Sequence, residues 1–120
     1  MIEELIGRVF AARNAAHLAH WKATGVGSFA RHMALGDFYD GIIDQLDKLV
    51  ECYQGYFGLV GDVPTLPPTK GDIIPLITID AAWISKNRSQ IAKNVPALEN
   101  IVDELSGIYL QTLYKLKNLS

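Results

Sequence analysis

The sequence predicts an all-α fold, an antiparallel four-helix bundle with a long loop between its second and third helices. Apolar residues recur every three or four positions over most of the chain, which is the pattern of amphipathic helices. Glycines and prolines interrupt this pattern at only a few places, and the single strand-like segment, DIIPLITID, has no partner strand. A chain of 120 residues and 13.2 kDa suits one domain, residues 1–120.

The first two helices have clear boundaries. We predict the first over Ile2–Trp21 and the second over Phe29–Tyr56, with Gly25 and Gly27 between them and Ser28 as an N-cap. The first helix carries an apolar stripe made of Ile2, Leu5, Ile6, Val9, Phe10, Ala12 and Ala16. The stripe of the second is made of Leu35, Phe38, Tyr39, Ile42, Leu46, Leu49, Val50 and Tyr53.

The second half of the chain is less regular. Several glycines and four of the five prolines fall within Gly55–Thr78, which predicts the long loop. A third helix is predicted from Asp80 to about Lys93, and Asn94–Pro96 breaks the pattern. The last helix carries a clear stripe made of Leu98, Ile101, Val102, Leu105, Ile108, Tyr109, Leu113 and Leu116.

Composition excludes some classes of function. A net charge of −2 and a pI near 5.8 provide no broad positive field, so DNA binding is not expected. The only cysteine, Cys52, cannot form an internal disulfide and is predicted to be a small buried residue. No run approaches eighteen apolar residues, and Met1 is followed by acids rather than by a basic leader. We therefore expect no membrane contact and a cytoplasmic, reducing setting.

The second helix carries a strip of acidic side chains. Asp37, Asp40, Asp44, Asp47 and Glu51 follow spacings of three and four, which places them on one helical face away from the apolar stripe. An ordinary solvated face explains this pattern. Like charges nevertheless repel at each of these spacings, so cations, a basic partner surface or an interface between chains could also account for it.

Two histidines lie near this strip in sequence. His20 and His32 are both predicted to face the core side of their helices, and a neutral imidazole accompanied by carboxylates suits iron or zinc. A lone inward histidine is more often simply hydrogen-bonded. Because His32 and the acids lie at different azimuths of one helix, a shared metal site must join two helices or two chains.

These residues resemble a known pattern. His20 followed by Trp21, a glycine at Gly25, His32, and then DQLDKLVE resemble Dps-type mini-ferritins over about Ala16–Gly55, one third of the chain. The resemblance implies a ferritin-like bundle, a homodimer or larger homo-oligomer, and an inter-subunit site that oxidises or sequesters Fe(II). It implies that His20 and His32 of one chain bind the metal together with Asp47 and Glu51 of another.

The chain departs from that pattern in two respects. The acid that the pattern has one turn after His32 is replaced by Gly36, and no lysine-rich extension is present. The segments HLAHWKATG and HMALGDFYDGIIDQLDKLVECYQG look closer still to short ferritin-like proteins of tailed phages and environmental sequences. That second resemblance implies a phage origin and, if so, the cytoplasm of a bacterial host.

Two functional hypotheses follow. The first is a Dps-like metal-binding protein, a ferroxidase if it turns over, whose site could alternatively hold zinc or another divalent metal. The second is a non-enzymatic, phage-encoded interaction protein on a ferritin-like scaffold with a degenerate metal site, because fold alone does not determine function. Metal analysis of the purified protein separates the two.

Overall fold

The computed structural model describes residues 1–67 and 71–120, and within these ranges the chain forms four α-helices and no strand. The helices are α1 (Ile2–Trp21), α2 (Ser28–Phe57), α3 (Ile73–Ala92) and α4 (Pro96–Asn118). The predicted all-α four-helix bundle is confirmed. None of the helices in these ranges is long and apolar enough to cross a membrane.

The predicted helix boundaries are correct for α1 and wrong for α3. Helix α3 begins at Ile73 rather than Asp80, because the side chain of Asp72 accepts a hydrogen bond from the Ile74 backbone N–H at 3.1 Å and caps the helix. Pro75 falls within the first turn, where its missing N–H breaks no helical hydrogen bond. The predicted cap Ser28 is instead the first residue of α2, and Gly27 precedes it with φ of 79°.

Neighbouring helices run antiparallel. Gln45 on α2 donates to the carbonyl oxygen of Ile101 near the start of α4, whereas Asp37, earlier on α2, pairs with Lys115 near the end of α4. Helix α1 packs against α2 and α3, and α4 packs against the same two helices. Helices α2 and α3 therefore occupy diagonal corners of the bundle and run in the same direction.

This arrangement explains the long connection from Gly58 to Asp72, of which residues 68–70 lie outside the described part. Because α2 and α3 run in the same direction, the chain must return along the bundle before α3 can begin. It does so along α1, where the Gly61 N–H donates to Glu3 at 2.8 Å. Further along, the Pro64 carbonyl oxygen lies only 2.7 Å from the position of a Cβ on Gly7, so a side chain there is excluded. The bundle therefore has one long crossover connection and two short turns.

The core is built from the predicted apolar stripes, with two corrections. Residues Leu35, Phe38, Ile42, Leu46, Leu49 and Tyr53 of α2 and Leu98, Ile101, Val102, Leu105, Tyr109 and Leu113 of α4 are buried. Phe10, predicted within the α1 stripe, is about half exposed, because it lies on the flank of that stripe beside the crossover. Cys52, predicted to be buried, is exposed on α2, because the buried stripe of that helix passes through its neighbour Tyr53 instead.

A buried polar cluster connects three helices. Asp80 of α3 accepts hydrogen bonds from Arg8 of α1 at 3.1 Å and from the Tyr109 hydroxyl of α4 at 3.3 Å. The Arg8 guanidinium also lies over the Trp83 ring, 4.5 Å from its centroid. Burial raises the pKa of the Asp80 carboxyl above its ordinary value, and the hydrogen bond from Arg8 opposes that shift. Burial likewise raises the pKa of Tyr109.

Candidate metal site at the histidine pair

His20 and His32 lie face to face between α1 and α2. Their ring centroids are 3.5 Å apart and their planes meet at 22°, so the rings are stacked. Both residues are partly buried. The turn between the helices includes Gly25 and Gly27 with φ of 96° and 79°, a backbone conformation that favours glycine, and it folds α2 back onto α1. The structure therefore brings together the two histidines that the sequence singled out.

Each ring is held by the backbone of the other residue. His20 Nδ1 lies 2.7 Å from the carbonyl oxygen of His32, and His32 Nδ1 lies 3.0 Å from the carbonyl oxygen of His20. Because a carbonyl oxygen can only accept, both Nδ1 atoms donate, and the lone pair of each neutral ring is on Nε2. Metal-binding histidines commonly donate their other N–H to a backbone carbonyl in this way. The tautomer of both rings thus suits metal binding through Nε2.

Gly36 lies directly beneath the His20 ring. A Cβ at this position would be 3.2 Å from His20 Cε1, which is tighter than an ordinary van der Waals contact, and 3.4 Å from His20 Nδ1. A side chain at residue 36 would therefore require the imidazole to move by a few tenths of an ångström. The residue that replaces the expected acid is thus in close contact with the stacked histidine pair.

Aromatic rings extend the pair toward the surface. His17 stacks on Tyr39 with centroids 4.1 Å apart and contacts Trp21 at 4.4 Å, and Tyr39 meets His20 edge to face at 5.3 Å. The Arg13 guanidinium lies over the Tyr39 ring, 5.3 Å from its centroid. Trp21 is 67% exposed. The histidine pair is therefore bordered by packed rings on one side and by an exposed indole at its rim.

The other two predicted ligands, Asp47 and Glu51, are not near the histidines within one chain. Asp47 is fifteen positions beyond His32 on the same helix, which corresponds to roughly 22 Å at 1.5 Å per residue. Both carboxylates are exposed. Across residues 1–67 and 71–120, no group of three or more His, Cys, Asp or Glu side chains could hold a metal ion. One copy of the chain thus supplies the two imidazoles without carboxylates beside them.

The acidic strip is a solvated face in the single chain. Asp37, Asp40, Asp44, Asp47 and Glu51 are all exposed. At the end nearest the histidines, Asp37 pairs with Lys115 at 3.4 Å. Lys48, beside the strip, pairs with Glu104 of α4 instead, at 3.7 Å. Among the residues that the structure describes, Asp37 is the only member of the strip that forms an ion pair.

Sequence reasoning missed the contributions of His17, Tyr39 and Gly36. His17 is partly buried and contacts the rings of Trp21 and Tyr39. Its spacing of three residues before His20 and four before Trp21 was the available signal, because such spacings align side chains on one helical face. The contact between Gly36 and His20 joins two helices and has no counterpart in local sequence.

Comparison with known proteins places the chain by family. No curated protein and no solved structure matches it. One family model matches residues 20–116, a segment that begins at His20 and includes all four predicted ligands. Since this match covers most of the chain, the protein belongs to the family of unknown function DUF5856.

Proposed function

We propose that the protein binds a divalent metal ion, principally ferrous iron, at a site shared by two copies of the chain. The observation that carries this proposal is the reciprocal bonding of His20 and His32, in which each Nδ1 donates to the other residue's carbonyl oxygen and each Nε2 is left as a ligand atom. The resemblance to Dps-type mini-ferritins supplies the expectation for the remaining ligands, Asp47 and Glu51.

The residues fit a metal only in part within one copy. Bonds between metals and imidazoles lie close to the ring plane, and the planes of His20 and His32 meet at only 22°. The pair therefore presents two separate imidazole ligands, and binding both to one ion requires at least one ring to turn. Additional oxygen ligands must come from elsewhere, since Gly36 has no side chain that could provide one.

A second copy could provide these oxygens through an antiparallel pairing of two α2 helices. In such a pair, residues at equal distances on either side of the crossing point face each other, so a crossing near Tyr39 and Asp40 brings Asp47 of one copy toward His32 of its mate. A two-fold axis then forms every such contact twice. The exposure of Asp47 and Glu51 leaves both carboxylates free to serve this role.

Nitrogen and carboxylate ligands suit iron in both common oxidation states. Fe(II) bound there would be oxidised to Fe(III), with oxygen or peroxide as the electron acceptor, which is the chemistry of a ferroxidase. The chain itself would hold the ion through His20, His32, Asp47 and Glu51, while the backbone carbonyl that accepts from the ring that stays in place would keep that imidazole in the tautomer with its lone pair on Nε2. Tyr39 packs edge to face against His20 and covers part of that ring.

The test is metal binding by the purified protein, measured by elemental analysis and by calorimetry with Fe(II) and Zn(II). Wild type should bind metal, and metal should raise its melting temperature because a ligand that prefers the folded state stabilises that state. His32→Ala should abolish measurable binding. Asp44→Asn removes an acid of the same strip outside the expected ligand set and should leave the stoichiometry unchanged. A wild type without bound metal, or an Asp44→Asn variant as defective as His32→Ala, would refute the metal site.

A second candidate function is an interaction protein that retains the bundle without using metal. The observation that favours it is a group of exposed apolar side chains around the α1–α2 turn: Trp21, Val26, Phe29 and Met33. Large exposed apolar groups that lie close together often mark an interaction surface. Under this hypothesis Trp21→Ala and Phe29→Ala weaken partner binding, and His32→Ala leaves it unchanged in a pull-down with the isolated partner.

A further inference from the structure

A cavity of about 430 Å³ lies on the opposite side of α1 from the histidine pair, where α1, α2 and the beginning of α3 meet. Its apolar wall includes Leu18, Ala19 and Ile73. The small side chain of Ala19 leaves space between α1 and Ile73 that a larger residue would fill. The volume falls within the range of small-molecule sites, about 300 to 1,000 Å³.

Two cationic side chains border this cavity: Lys22, the residue that follows α1, and Arg31 of α2. This is notable in a chain whose net charge is −2. Arg31 pairs with Asp72 at 3.4 Å, but both side chains are substantially exposed, and such a pair contributes little stability. Lys22 has no ion pair with any residue in the described ranges.

From these features we propose that the cavity binds a small amphiphilic anion, specifically a medium-length alkyl carboxylate. The alkyl chain packs against Leu18, Ala19 and Ile73, and the carboxylate lies between Lys22 and Arg31. The planar guanidinium of Arg31 matches the two oxygens of a carboxylate. Lys22, Arg31 and the neighbouring Asp72 together carry one net positive charge at the opening of the cavity. A carboxylate neutralises that charge, whereas a doubly charged phosphate would leave an excess negative charge.

The proposed site is independent of the metal site. It uses a different face of α1, and it contains none of His20, His32, Asp47 or Glu51. Substitutions in the cavity can therefore be tested in protein that retains the histidine pair, and failure of one proposal leaves the other standing.

The experiment is calorimetric titration of the full chain with decanoate below its micelle concentration, with decanol, acetate and decyl phosphate as comparisons. Decanoate should bind at one site per chain and raise the melting temperature. Acetate lacks the alkyl chain and decanol lacks the charge, so both should bind at least tenfold more weakly. Decyl phosphate should bind more weakly than decanoate at a pH where it carries two charges.

Variants separate the contribution of the apolar lining to decanoate binding from that of the charged side chains at the cavity opening. Arg31→Gln should weaken decanoate binding about tenfold or more, since it removes a charge-assisted hydrogen bond. Asp72→Asn keeps an N-cap for α3 but removes the competing carboxylate, so it should strengthen binding. Lys86→Gln, an exposed cation of α3 outside the cavity lining, is the matched control and should change nothing.

Ala19→Leu should abolish binding by filling the cavity, with circular dichroism to confirm that the variant folds. If Ala19→Leu does not fold, the double variant of the exposed cations, Lys22→Gln with Arg31→Gln, takes its place and should lose binding. Equal affinity for decanol and decanoate, or unchanged binding in Arg31→Gln, would overturn the proposal, because binding would then be non-specific adsorption to an apolar surface.

Discussion

At the scale of single residues, His20, His32 and Gly36 depend on one another. The two imidazoles stack because each donates a hydrogen bond to the backbone of the other, across the interface between α1 and α2. The stack crowds the position of a Cβ on Gly36, which would lie 3.2 Å from His20 Cε1. A residue that normally weakens a helix by about 0.5 to 1 kcal/mol relative to alanine is thus retained in the middle of α2 for a packing reason.

Comparison of two glycines in α2 tests this dependence. Gly41→Ala should raise the free energy of unfolding by about 0.5 to 1 kcal/mol, because a Cβ there meets nothing within 4 Å. Gly36→Ala should raise the free energy of unfolding by less, or should lower it, because the new Cβ must displace the His20 ring. Urea denaturation of both variants measures the difference.

The same substitution in a His20→Ala background serves as the control. With the ring removed, Gly36→Ala should recover the full gain expected from helix propensity, as a double-mutant cycle would reveal. Equal stabilisation by Gly36→Ala and Gly41→Ala in the wild-type background would mean that the ring does not occupy this space.

At the scale of helices, the buried cluster of Arg8, Asp80 and Tyr109 sets the register of α1, α3 and α4. Each helix contributes one polar group to an otherwise apolar interior, and the directional hydrogen bonds are satisfied in one relative position of the three helices. The Nε of Arg8 remains buried and unpartnered among the described residues. Burial of an ionised group costs free energy even when it is paired, so the cluster contributes to specific alignment more than to stability.

The pKa of Asp80 predicts how stability changes with pH. In the unfolded chain its carboxyl has an ordinary pKa of 3.8, and in the folded chain burial raises that pKa. This pKa difference adds to the free energy of unfolding. The added stability is therefore fully present below pH 3.8 and is lost as the pH rises through the pKa of Asp80 in the folded state. The unfolding free energy of wild type relative to Asp80→Asn should fall with rising pH over this interval.

Urea denaturation of both proteins at several pH values measures this difference, since the other carboxyl groups titrate in both and cancel. Arg8→Met should enlarge the pH dependence, because it removes the guanidinium that favours the ionised carboxyl. A stability difference that instead grows with pH would show that the ion pair with Arg8 outweighs burial.

At the scale of the whole molecule, the face formed by α1 and α2 opposite the core is the surface expected to form a dimer. It carries the exposed side chains of Phe10, Trp21 and Phe29 together with the acidic strip. Apolar groups favour association, whereas like charges that face each other across a two-fold axis oppose it.

The proposed site predicts an antiparallel dimer at micromolar concentration, with about twice the 13.2 kDa mass of one chain by light scattering. Because a crossing near residue 40 places Asp40 close to its mate, Asp40→Asn should strengthen the dimer severalfold at low salt. Asp62→Asn, in the crossover, removes the same charge elsewhere on the surface and should have no effect. A wild type that remains monomeric, with α2 fully solvated in a crystal, would contradict the shared site.

DNA binding should be weak or absent near physiological salt. The net charge is −2, and the exposed face of α2 is acidic, so the phosphate backbone is repelled rather than attracted. Gel retardation of duplex DNA at about 150 mM salt, where weak electrostatic attraction is screened, provides the measurement. A retarded complex under these conditions would contradict this expectation.

The bundle and most of its core followed from sequence, because apolar spacing is a local property that identifies a helix and its buried face. The bounds of α1, the stripes of α2 and α4 and the proline at the start of α4 are examples. The start of α3 was missed because DIIPLITID reads as loop or strand until Asp72 is recognised as a cap and Pro75 as a first-turn residue.

The candidate site was predictable only as a set of residue types. Sequence identified His20 and His32 through their resemblance to a family pattern, and helical spacing placed Asp47 and Glu51 on an outward face. Only the tertiary structure decided that the two imidazoles stack, that their Nδ1 atoms both donate to carbonyl groups, and that a Cβ on Gly36 would crowd the His20 ring. These features depend on how closely α1 and α2 approach and on the rotation of each about its axis, which the periodicity of either helix alone does not determine.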